Sequence, residues 1–463
     1  MELKKTKKLI SLLAAFAISV PMISFAAPNE NALKAFDQKI ITKVDSNKAL
    51  QHIKYLSESI GPRVAGTVEE KKASEYIKSQ FESYGYDVQV QNFGINNVVS
   101  KLTVENLKDV LFRVNTATGS GYTDKNGIKG QVVDCGFGSD ISNFPSKVKG
   151  NVALVQRGEI SFAEKAKNAE EAGAIAVIMY NNVSGNVNPT LGDYKSNIPF
   201  LSVSLEDGQK IKDEMTKDSV NVSIKSNLLT SSQNIIATRT PKKVKNPEIV
   251  YVTAHYDSVP YAPGANDNAS GTSMLLEMAK ILKSYPIDKE IRFIACGAEE
   301  IGLNGSEYYV SQLTKDELDR SCANFNMDMI ATSAESCDIL YADTIDGKEN
   351  LVTESMAASG YRLGNEVLSI GKGSSSDHAP FGEAGIPSAC FIWGDKDGNL
   401  EKYYHTPQDT IEINLSTDRL QQVGELVGAA LYDVVRKDTP NIERSAVRNS
   451  NPVVKKYDLN IEK

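Results

Sequence analysis

The chain has 463 residues, 41% of them apolar and 24% charged, and a formal net charge of −8. That length exceeds one ordinary hydrophobic core, so two domains are expected, and the composition excludes general disorder. The acidic balance argues against nucleic acid as a partner.

Lys4, Lys5, Lys7 and Lys8 precede an apolar run over residues 9–20, and Ser24-Phe25-Ala26-Ala27 follows with a small-x-small cleavage pattern. Residues 1–26 read as a secretory signal peptide whose apolar run is short for a bilayer span, so no stable membrane anchor is expected. The mature chain is expected to be secreted, extracellular and monomeric. Removing the signal's four lysines and one glutamate takes the charge from −8 to −11. The five cysteines, Cys135, Cys296, Cys322, Cys337 and Cys390, are odd in number and contain no C-x-x-C. They form neither a disulfide framework nor a thiolate zinc site, and Cys322 with Cys337 is the one local pairing to consider.

After a polar leader, residues 47–60 carry apolar side chains at helical spacing, Gly61-Pro62-Arg63 stops them, and residues 69–84 resume a second amphipathic helix. Residues 87–93 alternate like a strand. His52 falls in the first helix with no evident partner and reads as a packed or solvated imidazole. From 111 to 226 the texture changes to short β-type segments with Gly, Asn and Asp turns, one helical pattern at 162–173 and an apolar strand at 174–180. The segment GNVALVQRGEISFAEKAKNAEEAGAIAVIMYNN, followed by IPFLSVSLEDGQKI, resembles the protease-associated (PA) domain, a β-rich module inserted into secreted peptidases. It would serve as a wall beside a cleft or as a packing module alone. Residues 233–238 reopen the α/β pattern. Strands at 249–254, 290–296, 322–329, 339–341 and 388–393 then alternate with helices near 272–284, 306–313, 351–359 and 419–435. That order predicts a mostly parallel sheet covered by helices on both faces. The peptidase-like part would comprise 27–110 and 227–437, with 438–463 a polar tail.

Chemistry-bearing residues gather where these strands end. His255-Tyr256-Asp257 closes one strand, and residues two apart in an extended chain face the same side, so Asp257 can support His255 from behind. An isolated H-x-D is weak. Asp267, in ANDNASG before a helix, reads either as a cap or as a ligand, and its Asn neighbours leave one residue to cap while another faces the cleft. Glu299-Glu300 ends the next strand. Two adjacent carboxylates there suit a solvated pair, or one metal ligand (Glu300) with one general base (Glu299). Asp328 ends another apolar strand, and His405 lies in the loop YYHTPQDT. Two histidines and three carboxylates without cysteine suit zinc, in a number right for two ions sharing one bridge. His378, in SDHAPF, reads as a substrate contact or a structural donor.

The motifs HYD, NDNASG, AEEIGLNGS, NMDM, SDHAPF and YHTPQDT, with the early IGPRVAGT, resemble the M28 zinc aminopeptidases in their order, over nearly all the mature chain. With the insert, the chain particularly resembles secreted Bacillus double-zinc aminopeptidases acting on leucine- and arginine-type substrates. The resemblance implies His255, Asp267, Glu300, Asp328 and His405 as ligands of two zinc ions, with Asp267 bridging, Glu299 as base and Tyr404 steadying the oxyanion. The implied substrates are peptides with a free N-terminus. A carboxypeptidase of this fold would need a basic clamp that the motifs lack. A glutaminyl cyclase would be expected to carry one zinc and no insert, and a non-catalytic binding ectodomain would have lost ligands.

Overall fold

The computed structural model describes residues 37–365 and 367–436; the signal-peptide reading (1–26) and the tail (438–463) lie outside the described residues. In chain order the strands are β1 (Asp87–Val104), β2 (Asn115–Thr116), β3 (Ile128–Asp134), β4 (Val152–Gln156), β5 (Ala176–Tyr180), β6 (Phe200–Val203) and β7 (Asn221–Arg239). They continue with β8 (Ile249–His255), β9 (Glu290–Cys296), β10 (Ser321–Met327), β11 (Ile339–Thr344), β12 (Leu368–Lys372) and β13 (Ser388–Gly394).

The sheet runs β12-β11-β13-β10-β8-β9-β7, with β1 paired to β7. Its centre, β13-β10-β8-β9, is parallel. Strands β8 and β10 are buried at every position, as expected for strands covered on both faces. On one face lie the helices Ser46–Lys54, Val68–Ser83, Ala269–Leu282 and Thr417–Val435, which share one apolar core with the sheet. On the other, Tyr309 of the helix Asn304–Ser311 and Phe381 of His378–Glu383 pack with Tyr251. Helix Ala269–Leu282 is buried almost all round because it starts with small residues. A Cβ at Gly271 would lie 2.2 Å from the Met327 carbonyl oxygen, so only glycine lets this helix sit against the end of β10.

The edges depart from the parallel expectation. Strands β7 and β11 run antiparallel to β9 and β13. Strand β12, half-buried and carrying Gly371 and Lys372, has too little apolar alternation to be read from sequence. The strand expected over 87–93 continues to Val104, because a bulge between Gly94 and Asn97 carries β1 through residues that resemble a turn. Its partner β7 runs from β9 to β3, so a long antiparallel ribbon leads from the peptidase sheet into the insert. There β3, β4, β5 and β6 are parallel, β2 edges β6, and the helices Phe162–Glu171 and Leu205–Met215 accompany two apolar cores.

Candidate metal centre

The parallel strands β8, β9 and β10 all point their carboxyl ends at one edge, which is where open α/β sheets bind ligands. His255 is the last residue of β8, Glu299 and Glu300 follow β9, and Asp328 follows β10. The loop from 256 to 268 brings Asp267 over the same edge, and His405 arrives from the loop before the helix Ile411–Asn414. Helix Ala269–Leu282 is capped by Asn268, whose side chain accepts from the Gly271 amide at 2.9 Å. Asp267 is thereby left to face the cleft.

The side chains fall into two groups that share Asp267. Nε2 of His255 lies 3.3 Å from Oδ1 of Asp267 and 3.2 Å from Oδ1 of Asp328. Nε2 of His405 lies 3.2 Å from the other Asp267 oxygen and 2.9 Å from Oε2 of Glu300. Glu299 stands further off, its Oε2 4.0 Å from His255 Nε2. Potential ligand atoms of His255, Glu299 and Asp328, and of His255, Asp267 and Glu300, lie within 4.8 Å of one another.

Burial makes this cluster costly without cations. Burial and then the charge of Asp267 raise the Glu300 pKa to about 7, while burial and its acidic neighbours raise that of Glu299 well above the ordinary value despite His255. Burial also lifts Asp377, behind the site, to about 6. Burial opposes the charged form of His405, but Asp267 and Glu300 outweigh it and push its pKa up to about 10. Burial likewise opposes the charged form of His255, yet Glu299 and Asp328 raise its pKa well above the ordinary value, so the cluster favours positive charge at its centre. Oε1 of Glu300 and Nδ1 of His255 have no hydrogen-bond partner among the described residues. A set of nitrogen and oxygen donors this crowded and this acidic fits zinc.

Asp257 does more than back His255. It lies 3.6 Å from Nδ1, and its two carboxylate oxygens accept the amides of Glu299 and Glu300 at 3.1 and 3.2 Å. Several further residues were not singled out from sequence. Asp409, in the motif of His405, accepts the amides of Asn266 and Asp267. Ser376 donates to Asp328 Oδ2 at 2.8 Å. Arg63, fully buried, grips the loop after β8. The backbone adds a signal no spacing rule carries: Ala298, Met329 and His405, each at or beside a site residue, hold φ between 53 and 56°.

Of the remaining histidines, His378 lines the cavity of the site and His52 lies in a helix away from it. Nε2 of His378 donates to the Gly373 carbonyl at 2.9 Å, and His52 packs against the hydroxyl of Tyr76 at 2.6 Å. All five cysteines are buried thiols, so the pairing of Cys322 with Cys337 is not made. Tyr404 stacks on the His405 ring at 3.7 Å between centroids, and burial followed by the nearby carboxylates holds its hydroxyl protonated.

A cavity of about 280 Å³ holds the cluster and continues past Met329, Ile392 and Leu400 to Asp343. No Lys or Arg lines it among the described residues. A wider groove of about 960 Å³ opens from Glu300 and His405 and runs between β1 and the insert, along residues 114–122.

Residues 234–431 match Peptidase family M28, and residues 128–211 match the PA domain. Fold and site together define a metallopeptidase class with an inserted module. The chain is 44% identical over 439 residues to Aminopeptidase YwaD of Bacillus subtilis (strain 168), covering 93% of this chain and 95% of that one. Among solved structures it is similar to BSAP, a zinc aminopeptidase from Bacillus subtilis, with TM-score 0.71 and 46% identity over 86% of this chain and 97% of that one. It is also similar to an aminopeptidase from Aneurinibacillus sp. strain AM-1, with TM-score 0.62 and 35% identity over 88% and 99% of the two chains. The chain belongs to peptidase family M28.

Proposed function

We propose that this chain is a secreted aminopeptidase that holds two zinc ions and removes residues from the free N-terminus of peptides. The observation that carries this reading is the division of Asp267. One oxygen faces His255, which also meets Asp328, and the other faces His405, which also meets Glu300, so the two sides of one carboxylate serve two sets of donors as a bridging carboxylate needs. Zinc bound there would lower the pKa of water and polarise the scissile carbonyl.

The protein's own groups would do the rest. His255, Asp267 and Asp328 would hold one ion, and Asp267, Glu300 and His405 the other. Glu299, whose Oε2 stands 4.0 Å from His255, further than Asp267 or Asp328, is left to take a proton from the attacking water and return it to the leaving amine. Its backbone amide donates to Asp257, which fixes the main chain from which the carboxylate projects. The protonated Tyr404 hydroxyl can donate to the developing oxyanion. A cavity walled by acids, with no Lys or Arg among the described residues that line it, suits a substrate's α-amino group better than a C-terminal carboxylate, which supports the aminopeptidase reading over the carboxypeptidase one. The rest of the peptide would leave along the groove beside the insert. In this reading 111–226 is the insert and 27–110 with 227–437 the catalytic part.

The test is Glu299→Gln. Hydrolysis of aminoacyl p-nitroanilides should fall by at least ~10²-fold while zinc stays near two per chain. An active variant would sink the assignment of the base, and hydrolysis of peptides with an acetylated N-terminus would sink the aminopeptidase reading.

A further inference from the structure

We infer that Arg63 is a positioning residue for Asp267, holding the loop that carries this carboxylate to the metal centre. The inference rests on the two-zinc reading above. Arg63 follows the first helical stretch, about 200 residues before the loop it serves, and its side chain is fully buried. A buried guanidinium is expensive unless its donors are satisfied, and here they are used on backbone carbonyls. Nε donates to Tyr256 at 2.7 Å, Nη1 to Pro263 at 2.5 Å and Nη2 to Gly264 at 2.9 Å. Nη1 also reaches Gly61 at 3.2 Å and Leu56 at 3.3 Å, tying the loop to the end of the helical stretch. Its amide receives further support from Ser258 Oγ at 2.9 Å.

The loop is gripped from the other side by Asp409, which accepts the amides of Asn266 and Asp267 at 3.0 and 2.9 Å. A cation therefore holds the carbonyls of residues 256, 263 and 264 while an anion holds the amides of 266 and 267, and Asp267 stands at the end of the clamped segment. Gly264 is built to this contact. Its φ is +62°, and a Cβ would lie 2.8 Å from Arg63 Nη2 and 2.3 Å from the Asp267 carbonyl oxygen. The charge has a second effect, since Arg63 faces Asp257, Asp267, Glu300 and Asp409. Burial lowers its own pKa to about 10, and those acids keep it charged. Lysine cannot replace it, because one ammonium lacks the planar fork that reaches three carbonyls in different directions.

Arg63→Lys, Arg63→Gln and Gly264→Ala, compared with wild type, test this on three readouts: zinc binding by competition with a chelator, kcat against KM, and thermal unfolding of the zinc-free chain. Arg63→Lys keeps the charge and should still weaken zinc binding by at least ~10-fold, with kcat down by a similar factor and KM for leucine p-nitroanilide within ~2-fold, because small misplacements of a reacting group are costly. Gly264→Ala, which crowds both the guanidinium and the Asp267 carbonyl, should show the same losses, and Arg63→Gln larger ones than Arg63→Lys. Variants that melt earlier yet keep wild-type zinc affinity and wild-type kcat per folded molecule would show a merely structural role and overturn the inference. If the wild type takes up fewer than two zinc ions, the two-zinc reading fails by itself, and Arg63 is then judged by the affinity of the ion that does bind: weaker in Arg63→Lys supports it, unchanged refutes it.

Discussion

Glu299 and Glu300 are neighbours in the chain yet face different partners, because Asp257 takes one amide on each of its oxygens and fixes the turn between them. Side chains at the rim are sorted by the same kind of local control. Asp343, on β11, presents a half-buried carboxylate to the cavity that holds Met329, Ile392 and Leu400. Burial raises its pKa, and among the described residues nothing donates a hydrogen bond to it. Gly371 and Gly373 make room for it, since a Cβ at Gly371 would lie 1.8 Å from Oδ1. A substrate side chain with an apolar stem and a cationic head would meet both wall and acid. Asp343→Asn should therefore lower kcat/KM for arginine p-nitroanilide at least ~10-fold relative to the leucine compound, and equal losses on both would contradict this. At this scale the sequence was legible where residues stand in short motifs, as His255, Glu300 and His405 do. Arg63 stands there only as part of a helix stop and Asp409 only inside the motif of His405, because their work is hydrogen bonding to backbone far away in sequence, which neither periodicity nor spacing records.

Among the elements, what places the site is the junction of β10 with the helix Ala269–Leu282. Asn268 makes it: Oδ1 accepts the amides of Gly271 and Met329 at 2.9 and 3.3 Å, and Nδ2 donates to the Met327 carbonyl at 2.9 Å. One buried amide thus caps the helix and holds the strand end that carries Asp328. Asn268→Ala should destabilise the fold by about 1–3 kcal/mol, more than an exposed cap would, because it leaves Met327 and Met329 unsatisfied. Denaturant unfolding measures this, and a loss under about 0.5 kcal/mol would show the junction is held elsewhere. The central strands and main helices were readable because they are long and strongly apolar. Strand β1 was read short because its bulge at 94–97 looks like a turn, and β12 was missed because a half-buried edge strand has little hydrophobic signature.

For the molecule as a whole, the ribbon of β1 and β7 joins the insert to the sheet that bears the site, and the groove between them starts at Glu300 and His405. The insert therefore borders the path a peptide would take away from the site. No helix among the described residues is long and apolar enough to cross a membrane. In the proposed function Asp267 would join two zinc ions in one catalytic unit, and titrating zinc into metal-free protein tests this most directly. Hydrolysis of leucine p-nitroanilide should rise to its maximum at two equivalents of zinc per chain and vanish again with excess chelator. Full activity at one equivalent, or activity that survives complete removal of metal, would contradict it.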